Sequence, residues 1–560
     1  MEPRKKFTLL EDVQDLDKTI IRLIAKRTEL VQRMEQNRSK TAFVAAKIAA
    51  SEKELRKNWE HEASTYSRDE RFLRGVFALL QELELTPKEA KEKISNVFNL
   101  APPPRPVNIN LPQITSLRHS RFWVFLAAAA GKPLELSNQL FNDPMIELIK
   151  ALNQVGAHLS WNDIAEILSA GGPELVMQDK TIYAGSSAMN FYLLSALAMG
   201  SPGVVKFTGD SALKLQDLSV WRKTTPLFGA RLAHVIPKSN GLPVHLECSG
   251  IMPEEVVLPP DLPADAFCAL LLASIFWPGK ITFVASGQPW WQACVQEIMP
   301  LFEACGVDVT VNDADITIVP GFSNFPKQPA LPMDPFLVSL CLSFPAFAGG
   351  VSVMRKSPEE VDNDKLEDFC EYDALLAWAG LKVEKTKKFL RSTGSIESVK
   401  NPGPLFVDKV PKIAWPLAFA FVANYAHKTK ETIEITLSSG KPEEFPAFLQ
   451  ESNFVLALAQ EFLLSLGVEL TGEGPFFAKL LPAGAERPSS MCTAPHPSWA
   501  FGLALGAYLR PNLGLTNAAI ISEVMPSFWA LYNSLPSPSL FRHKPKEVVD
   551  EPKRRRKIVT

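Results

Sequence analysis

Two short patterns alternate along this chain of 560 residues, and their repetition constrains the fold more than any single residue does. The first is an alanine-rich apolar run that stops at a glycine or a turn. It appears as LAAAAGKPLEL, SALAMGSPGVVKF, LLASIFWPGKITFV, FPAFAGGVSV, FAFVANYAHKTKETIEI and LALGAYLRPNLGL. The second follows roughly 25 residues later in most units, as a helix-like stretch that ends in glycine and then alternates apolar with polar residues. It reads LNQVGAHL around Gly156, PLFGARLAHV around Gly229, LFEACGVDV around Gly306, LLAWAGLKV around Gly380 and LLSLGVEL around Gly467. Physically, each pattern is a helix, a left-handed glycine at its C-cap, and then a strand. The repeat length, roughly 75 residues, is too long for the usual solenoids. Six helix–strand units in an α/β body are the expectation.

Single hydrophobic cores stop growing near ~250–300 residues, so a chain of this length should hold several domains. A formal net charge of -2 gives no overall attraction to nucleic acid or membrane. No apolar run approaches the ~18–20 residues of a membrane span, and MEPRKKFTLLED lacks a signal-peptide core. The seven cysteines are scattered and odd in number, and no CxxC pair marks a zinc or redox site. Reduced thiols in a cytoplasmic protein are expected. No Walker loop, dinucleotide fingerprint or metal-ligand spacing is present, so neither a cofactor nor a metal is expected.

Residues 1–99 read as a helical domain. Val13, Leu16, Ile20, Leu23, Leu30, Met34, Val44, Ile48 and Leu55 form one stripe, which predicts a long amphipathic helix from Leu9 to Trp59. RDERFLRGVFALLQELE predicts a second helix. Thr86-Pro87-Lys88-Glu89 reads as a capping box with proline at the first helical position, opening a third helix through Val97. Residues 100–107, with APPPRP, are a stiff linker. Residues 108–541 form the repeat body, and 542–560 read as a disordered charged tail.

Arg27 interrupts the apolar stripe of the first helix. It is either an arginine snorkelling at a helix–helix rim or one aimed into a bundle core to bind an anion, since a buried guanidinium needs a partner. LEDVQDLDKTIIRLIAKRTELVQRMEQNRSK resembles the first helix of the all-helical chorismate mutases, with Asp17 and Arg27 at the family spacing. That family clamps the carboxylates of chorismate with several Arg and Lys residues from two interlocked subunits. Arg27 matches one of them, Arg38 stands where the family has a lysine, and Leu10 replaces a further arginine. The resemblance implies a retained helical fold, a chorismate-like or prephenate ligand at Arg27 and Arg38, and a homodimer through these helices. With two cations of a larger set, it does not imply mutase activity.

The body, from Asn108 to Phe541, resembles the EPSP synthase (3-phosphoshikimate 1-carboxyvinyltransferase) family of enolpyruvyl transferases. Its landmarks, in family order, are LPQITSLRHSRFWVFLAAAAG, YAGSSAMNFYLLSAL, FTGDSALKLQDLSVW, LPADAFCALLLAS, MDPFLVSLCLSFPAFAGG, KVPKIAWPLAFAFV, HPSWAFGLALGAYL and EVMPSFWALYNSL. The resemblance implies three units in each of two lobes, helices inside, sheets outside, and substrates in the cleft between them. It also implies bacterial aromatic amino-acid biosynthesis. The family reaction joins phosphoenolpyruvate to shikimate 3-phosphate, and such anions demand converging Lys and Arg residues and close backbone N–H groups.

The matching positions depart from that demand. Arg121 is kept and Ser187 stands in for a threonine. Ser116 replaces the first signature's catalytic lysine, Asn190 and Gln216 replace arginines, and Ala264, Asp265 and Ala266 replace the Ser-Ser-Gln that grips the shikimate phosphate. Lys412 stands at the aspartate that acts as acid or base. Glu451 and Val455 lie near a lysine and an arginine, Pro497 and Ser498 at a His-Arg pair, and Glu523 at the final lysine. Three functions fit: a divergent carboxyvinyl transferase, a non-catalytic regulator or scaffold of the same pathway, and a transferase with a less anionic acceptor. Elsewhere, PKRRRK reads as a solvated tail or a nucleic-acid patch. Trp290 and Trp291 read as core or as a ligand stack, the cysteines as core, and His496 as a lone histidine beside prolines.

Overall fold

The computed structural model describes residues 97–538, apart from internal stretches of which 437–455 and 357–369 are the longest. It also describes Leu16, Thr19, Arg22, Leu23, Lys26, Arg27 and Trp59, all in helical backbone. Leu16 and Leu23 are exposed there, and the Arg27 guanidinium lies 5.9 Å from the centroid of the Trp59 ring. Arg38, the rest of the expected helical domain and the 542–560 tail lie outside the described residues.

The two sequence patterns correspond to two kinds of helix. Those carrying the first pattern are apolar on nearly every face, so each must be enclosed by protein on all sides. They are α1 (Leu117–Ala130), α3 (Ala188–Met199), α4 (Ala264–Ser274), α6 (Pro335–Ala348), α8 (Trp415–Thr429) and α10 (Pro497–Gly506). In α6 every residue from Phe336 to Ala348 is buried. Those carrying the second pattern include α2 (Asp143–Gln154), α5 (Trp291–Cys305), α7 (Cys370–Trp378) and α9 (Leu456–Ser465). On α2, Met145, Leu148, Ile149 and Leu152 form a buried stripe at helical spacing. These helices cover the inner ones. All five glycines of the second pattern adopt positive φ, from 61° at Gly306 to 115° at Gly156, as a left-handed cap requires.

Six sheets are described, one per unit. In most units a strand before the inner helix runs parallel to the strand after it, and a hairpin completes the sheet. In the second unit, Thr181–Tyr183 and Gly203–Thr208 flank α3 in this way. The third and fifth units repeat the order around α4 and α8. Unit one lacks the leading strand. Among the described residues its sheet holds Pro133–Leu136, Leu159–Trp161 and Ile167–Ala170, all antiparallel. The strand in front of α1, Val107–Pro112, is instead parallel to Gly350–Arg355 in unit four. The repeat body thus begins in the second lobe, crosses to build the first three units, and returns.

Two hydrophobic cores result. One runs from Phe122 to Leu331, and the other combines Leu100–Ile114 with Met333–Leu535. The crossings lie side by side: Thr115 bridges Met333, Ser116 N–H donates to Pro332 O at 2.8 Å, and Asp334 N–H donates to Ile114 O at 2.9 Å. Upstream, Phe98–Asn99 pairs with Gly514–Leu515 of unit six, and Leu100 N–H donates to Leu513 O at 2.9 Å. The chain is therefore tied to the body at the end of the stretch read as helical. Trp291 stacks on Phe267 at 5.2 Å and Trp290 meets the same ring at 5.3 Å, both buried. They are core, as are Cys268, Cys294, Cys305 and Cys341.

Gly350 and Gly380 test this architecture. A Cβ on Gly380 (φ 79°) meets nothing within 4 Å, so Gly380→Ala should cost only the left-handed penalty of about 1–2 kcal/mol. A Cβ on Gly350 (φ 96°) would sit 2.1 Å from Val107 O. Gly350→Ala should therefore cost clearly more in urea unfolding; equal costs would contradict the parallel pairing of the donated strand.

Candidate functional site

The ends of the inner helices of the first lobe meet where α1 leaves the crossing. Ser116 is the N-cap of α1, and its hydroxyl faces His119 Nδ1 at 3.0 Å. Burial lowers the His119 pKa, with Glu297 opposing the effect and Arg118 adding to it. Ser116 therefore caps a helix at the position where the family has its lysine. One turn on, Arg121 Nη1 donates to Ser187 Oγ at 3.0 Å. Ser187 is the N-cap residue of α3 but makes no side-chain cap bond, which leaves its hydroxyl for Arg121. Both side chains are half-buried. Of the expected substrate-binding residues, these two are brought into contact.

Asp265 does not face an open pocket. It forms a buried ion pair with Arg118 Nη1, and Arg118 Nε donates to Glu297 Oε1 at 2.6 Å. All three side chains are less than a tenth exposed. Burial alone would lower the Arg118 pKa, but Asp265 and Glu297 outweigh it and hold the guanidinium charged. The triad joins the first turn of α1 to α4 and α5, and the Arg118 charge is offset by two carboxylates, one of them at the position that the resemblance assigns to phosphate binding. Arg118 and Glu297 were not among the expected site residues. The signal available was Arg118 three residues before Arg121 in LRHSR, which puts both on one helix face.

Asn190 is fully buried and its Nδ2 donates to Pro144 O at 2.8 Å, bracing the start of α2. Glu147 of α2 accepts from Ser186 N–H at 2.9 Å and Ser186 Oγ at 3.1 Å. Burial raises its pKa, the Ser186 bonds pull it down, and Asp210 and Asp143 push it up again. Gln216 follows a short helix, Ser211–Leu215. In the second lobe Lys412 opens a one-turn 3-10 helix, Lys412–Ala414, ahead of α8. His496 caps α10, accepting from Ser498 N–H at 3.2 Å, with Pro497 and Ser498 inside the helix. Glu451 and Val455 lie outside the described residues.

Glu523 lies at a contact between the lobes. Its carbonyl accepts from Asn142 Nδ2 at 2.7 Å, and the neighbouring Ser522 Oγ donates to Asp143 Oδ2 at 2.7 Å. Burial raises the Glu523 pKa, and Asp143 across the junction adds to the rise. The surroundings are thus acidic. Asp265 and Glu297 pair with Arg118, Glu147 with Ser186, and Asp143 with Ser522. Among the described residues no group of His, Cys, Asp and Glu could hold a metal ion, and no helix is long and apolar enough to cross a membrane.

No family model matches the chain. A 3-phosphoshikimate 1-carboxyvinyltransferase of Cronobacter sakazakii is 25% identical over 248 residues, which are 43% of this chain and 57% of that relative. The match therefore spans little more than half the relative's length. The EPSP synthase of Acinetobacter baumannii superposes with a TM-score of 0.59 at 16% identity, over 78% of this chain and 97% of its own. The enolpyruvyl transferase NikO of Streptomyces tendae gives a TM-score of 0.57 at 14% identity, over 78% and 95%. The sequence is EPSP-synthase-like, and the fold is the two-lobed one of these enolpyruvyl transferases.

Two outcomes are expected of this geometry. Arg118→Met leaves two buried carboxylates without a cation and should cost about 3–5 kcal/mol in urea unfolding. Adding Asp265→Asn and Glu297→Gln should recover most of that loss. At the crossing, Asp334 caps α6 by accepting from Leu337 N–H at 2.9 Å, while burial raises its pKa to about 6. The folded state then holds the proton more tightly than the unfolded one, so this contribution to stability falls as pH rises from about 4 to about 6. Asp334→Asn keeps the cap acceptor. It should flatten the melting temperature across that window and raise it at neutral pH.

Proposed function

We propose that this EPSP-synthase-like chain is a non-catalytic protein of the shikimate pathway, a regulator or scaffold that kept the two-lobed fold without enolpyruvyl transfer. The observation that carries this reading is the commitment of the phosphate-gripping position to an internal ion pair, Asp265 with Arg118. Moving a carboxyvinyl group from phosphoenolpyruvate to shikimate 3-phosphate must release inorganic phosphate, so the cleft would have to bind two phosphorylated anions and stabilise a leaving one. Each unit charge at 4 Å contributes about 4 kcal/mol at an effective dielectric near 20. Replacing cations by Ser116, Asn190 and Glu523 while adding Asp265 reverses that sum. A lysine at the acid–base position, Lys412, differs from a carboxylate in charge and in unperturbed pKa. The helical N-terminal region would supply a further ligand site at Arg27 and Arg38 for a chorismate-like dicarboxylate, and a route to homodimers.

One observation favours a second reading. Arg121 and Ser187 still meet, and such a pair suits a single carboxylate, which would fit a transferase with a less anionic acceptor. Isothermal calorimetry with phosphoenolpyruvate and shikimate 3-phosphate, alone and together, separates the two from the family reaction. Neither ligand should bind more tightly than about 1 mM, no phosphate should be released, and a strain lacking the transferase should not be complemented. Micromolar binding with turnover would overturn the proposal. Binding of phosphoenolpyruvate alone, lost in Arg121→Ala, would favour the second reading.

A further inference from the structure

The two lobes are joined covalently by two crossings that lie side by side, and such a connection by itself permits rotation of one lobe on the other. We infer that this chain carries its own clasp across the cleft, formed by Asn142 and Asp143 at the start of α2 and Ser522 and Glu523 in the second lobe, so that the lobes are held together without a ligand. This inference concerns what holds the cleft shut and stands whether or not the cleft reacts.

Both sides of the clasp are built before they meet. Asn142 is only 4% exposed and uses both ends of its amide. Oδ1 accepts from Met145 N–H at 3.0 Å as the cap of α2, which aims Nδ2 at Glu523 O at 2.7 Å. Reversing the amide would lose both bonds, so the cap fixes the direction of the clasp. The turn behind it is braced by Asn190, whose Nδ2 reaches Pro144 O. Opposite, Ala518–Glu523 is a 3-10 turn. Its base is fixed by Asn517, which exchanges two bonds with Ala494 at 3.0 and 2.7 Å, and by Trp529 Nε1, which donates to Ala518 O at 2.8 Å. Because neither partner has to be ordered on contact, little conformational entropy opposes closure. Ser522 Oγ to Asp143 Oδ2 supplies the second, charge-assisted bond.

The position is telling. Glu523 stands where the resemblance places the family's last lysine, a residue expected to reach for an anionic substrate. Here the same turn reaches for the other lobe through its backbone carbonyl and its neighbouring serine. A contact between the lobes thus occupies a position where the resemblance would put a substrate contact.

The test uses the full chain in solution, with small-angle scattering for lobe separation and hydrogen exchange for the clasp itself. Asn142→Asp keeps an acceptor for the cap but removes the donor and sets a carboxylate against Glu523 O. Ser522→Ala removes the second bond and leaves α2 untouched. The unliganded protein should scatter as the closed arrangement and should not contract in millimolar inorganic phosphate or phosphoenolpyruvate. The double variant should show a larger radius of gyration and roughly tenfold or faster exchange in 518–524, with far-ultraviolet circular dichroism unchanged. If Asn142→Asp fails to fold, Ser522→Ala alone should still raise exchange in 518–524. A wild-type protein that is open until phosphoenolpyruvate or phosphate is added, or variants indistinguishable from it, would overturn the inference.

Discussion

The structure depends on one pairing, the parallel register of Val107–Pro112 with Gly350–Arg355. This strand precedes α1 in the chain but belongs to the sheet of the other lobe. Its departure leaves unit one with three antiparallel strands, and its arrival gives unit four the parallel pair seen in most units. Gly350 has no side chain where the two backbones approach most closely, and Arg355 Nε donates to Asn110 Oδ1 at 3.0 Å near the other end. Because the strand is taken across, the chain must pass between lobes twice, and the passages are forced together by the Thr115–Met333 bridge. The two-lobed arrangement follows from this exchange.

Around the cleft, charge has been turned inward. A site for phosphorylated ligands keeps cations unsatisfied until the ligand arrives. In this chain Arg118 is satisfied by Asp265 and Glu297, and the half-buried Arg121 leans on Ser187. A buried ion triad of this kind adds little net stability over an apolar core of the same volume, yet becomes costly when one member is lost. It therefore fixes the arrangement of α1, α4 and α5 rather than strengthening it. The same applies to Asn190, whose amide serves the backbone of Pro144.

Local requirements were legible in the sequence and distant ones were not. Gly306 and Gly380 could be placed at helix ends because a left-handed cap is a demand of the backbone on one residue. Lys430 shows the limit of that rule: it holds the same conformation, φ 62°, at the end of α8 without being glycine. The all-apolar and amphipathic helices could be told apart in principle from their periodicity, since enclosure on every face removes the polar stripe. Arg121 and Ser187 were each picked out by family position, but their contact is visible only in the fold. What could not be read was the destination of Asp265, because its partners come from α1 and α5 and only folding brings them to it. The donated strand was equally hidden, since nothing in VNINLP says that its neighbour lies beyond an entire lobe.

That strand also sets an order on biosynthesis. Chains emerge from the ribosome at about 5–20 residues per second, so Val107–Pro112 appears well before the segment it pairs with. The first lobe has its whole core, Phe122 to Leu331, available while Val107, Ile109 and Leu111 still await burial. During that interval the nascent polypeptide trails an apolar strand with a bare edge, the kind of template on which chains associate wrongly. Slow translation through the first three units would lengthen the exposure, and a chaperone holding this short segment would shield it until Gly350 emerges.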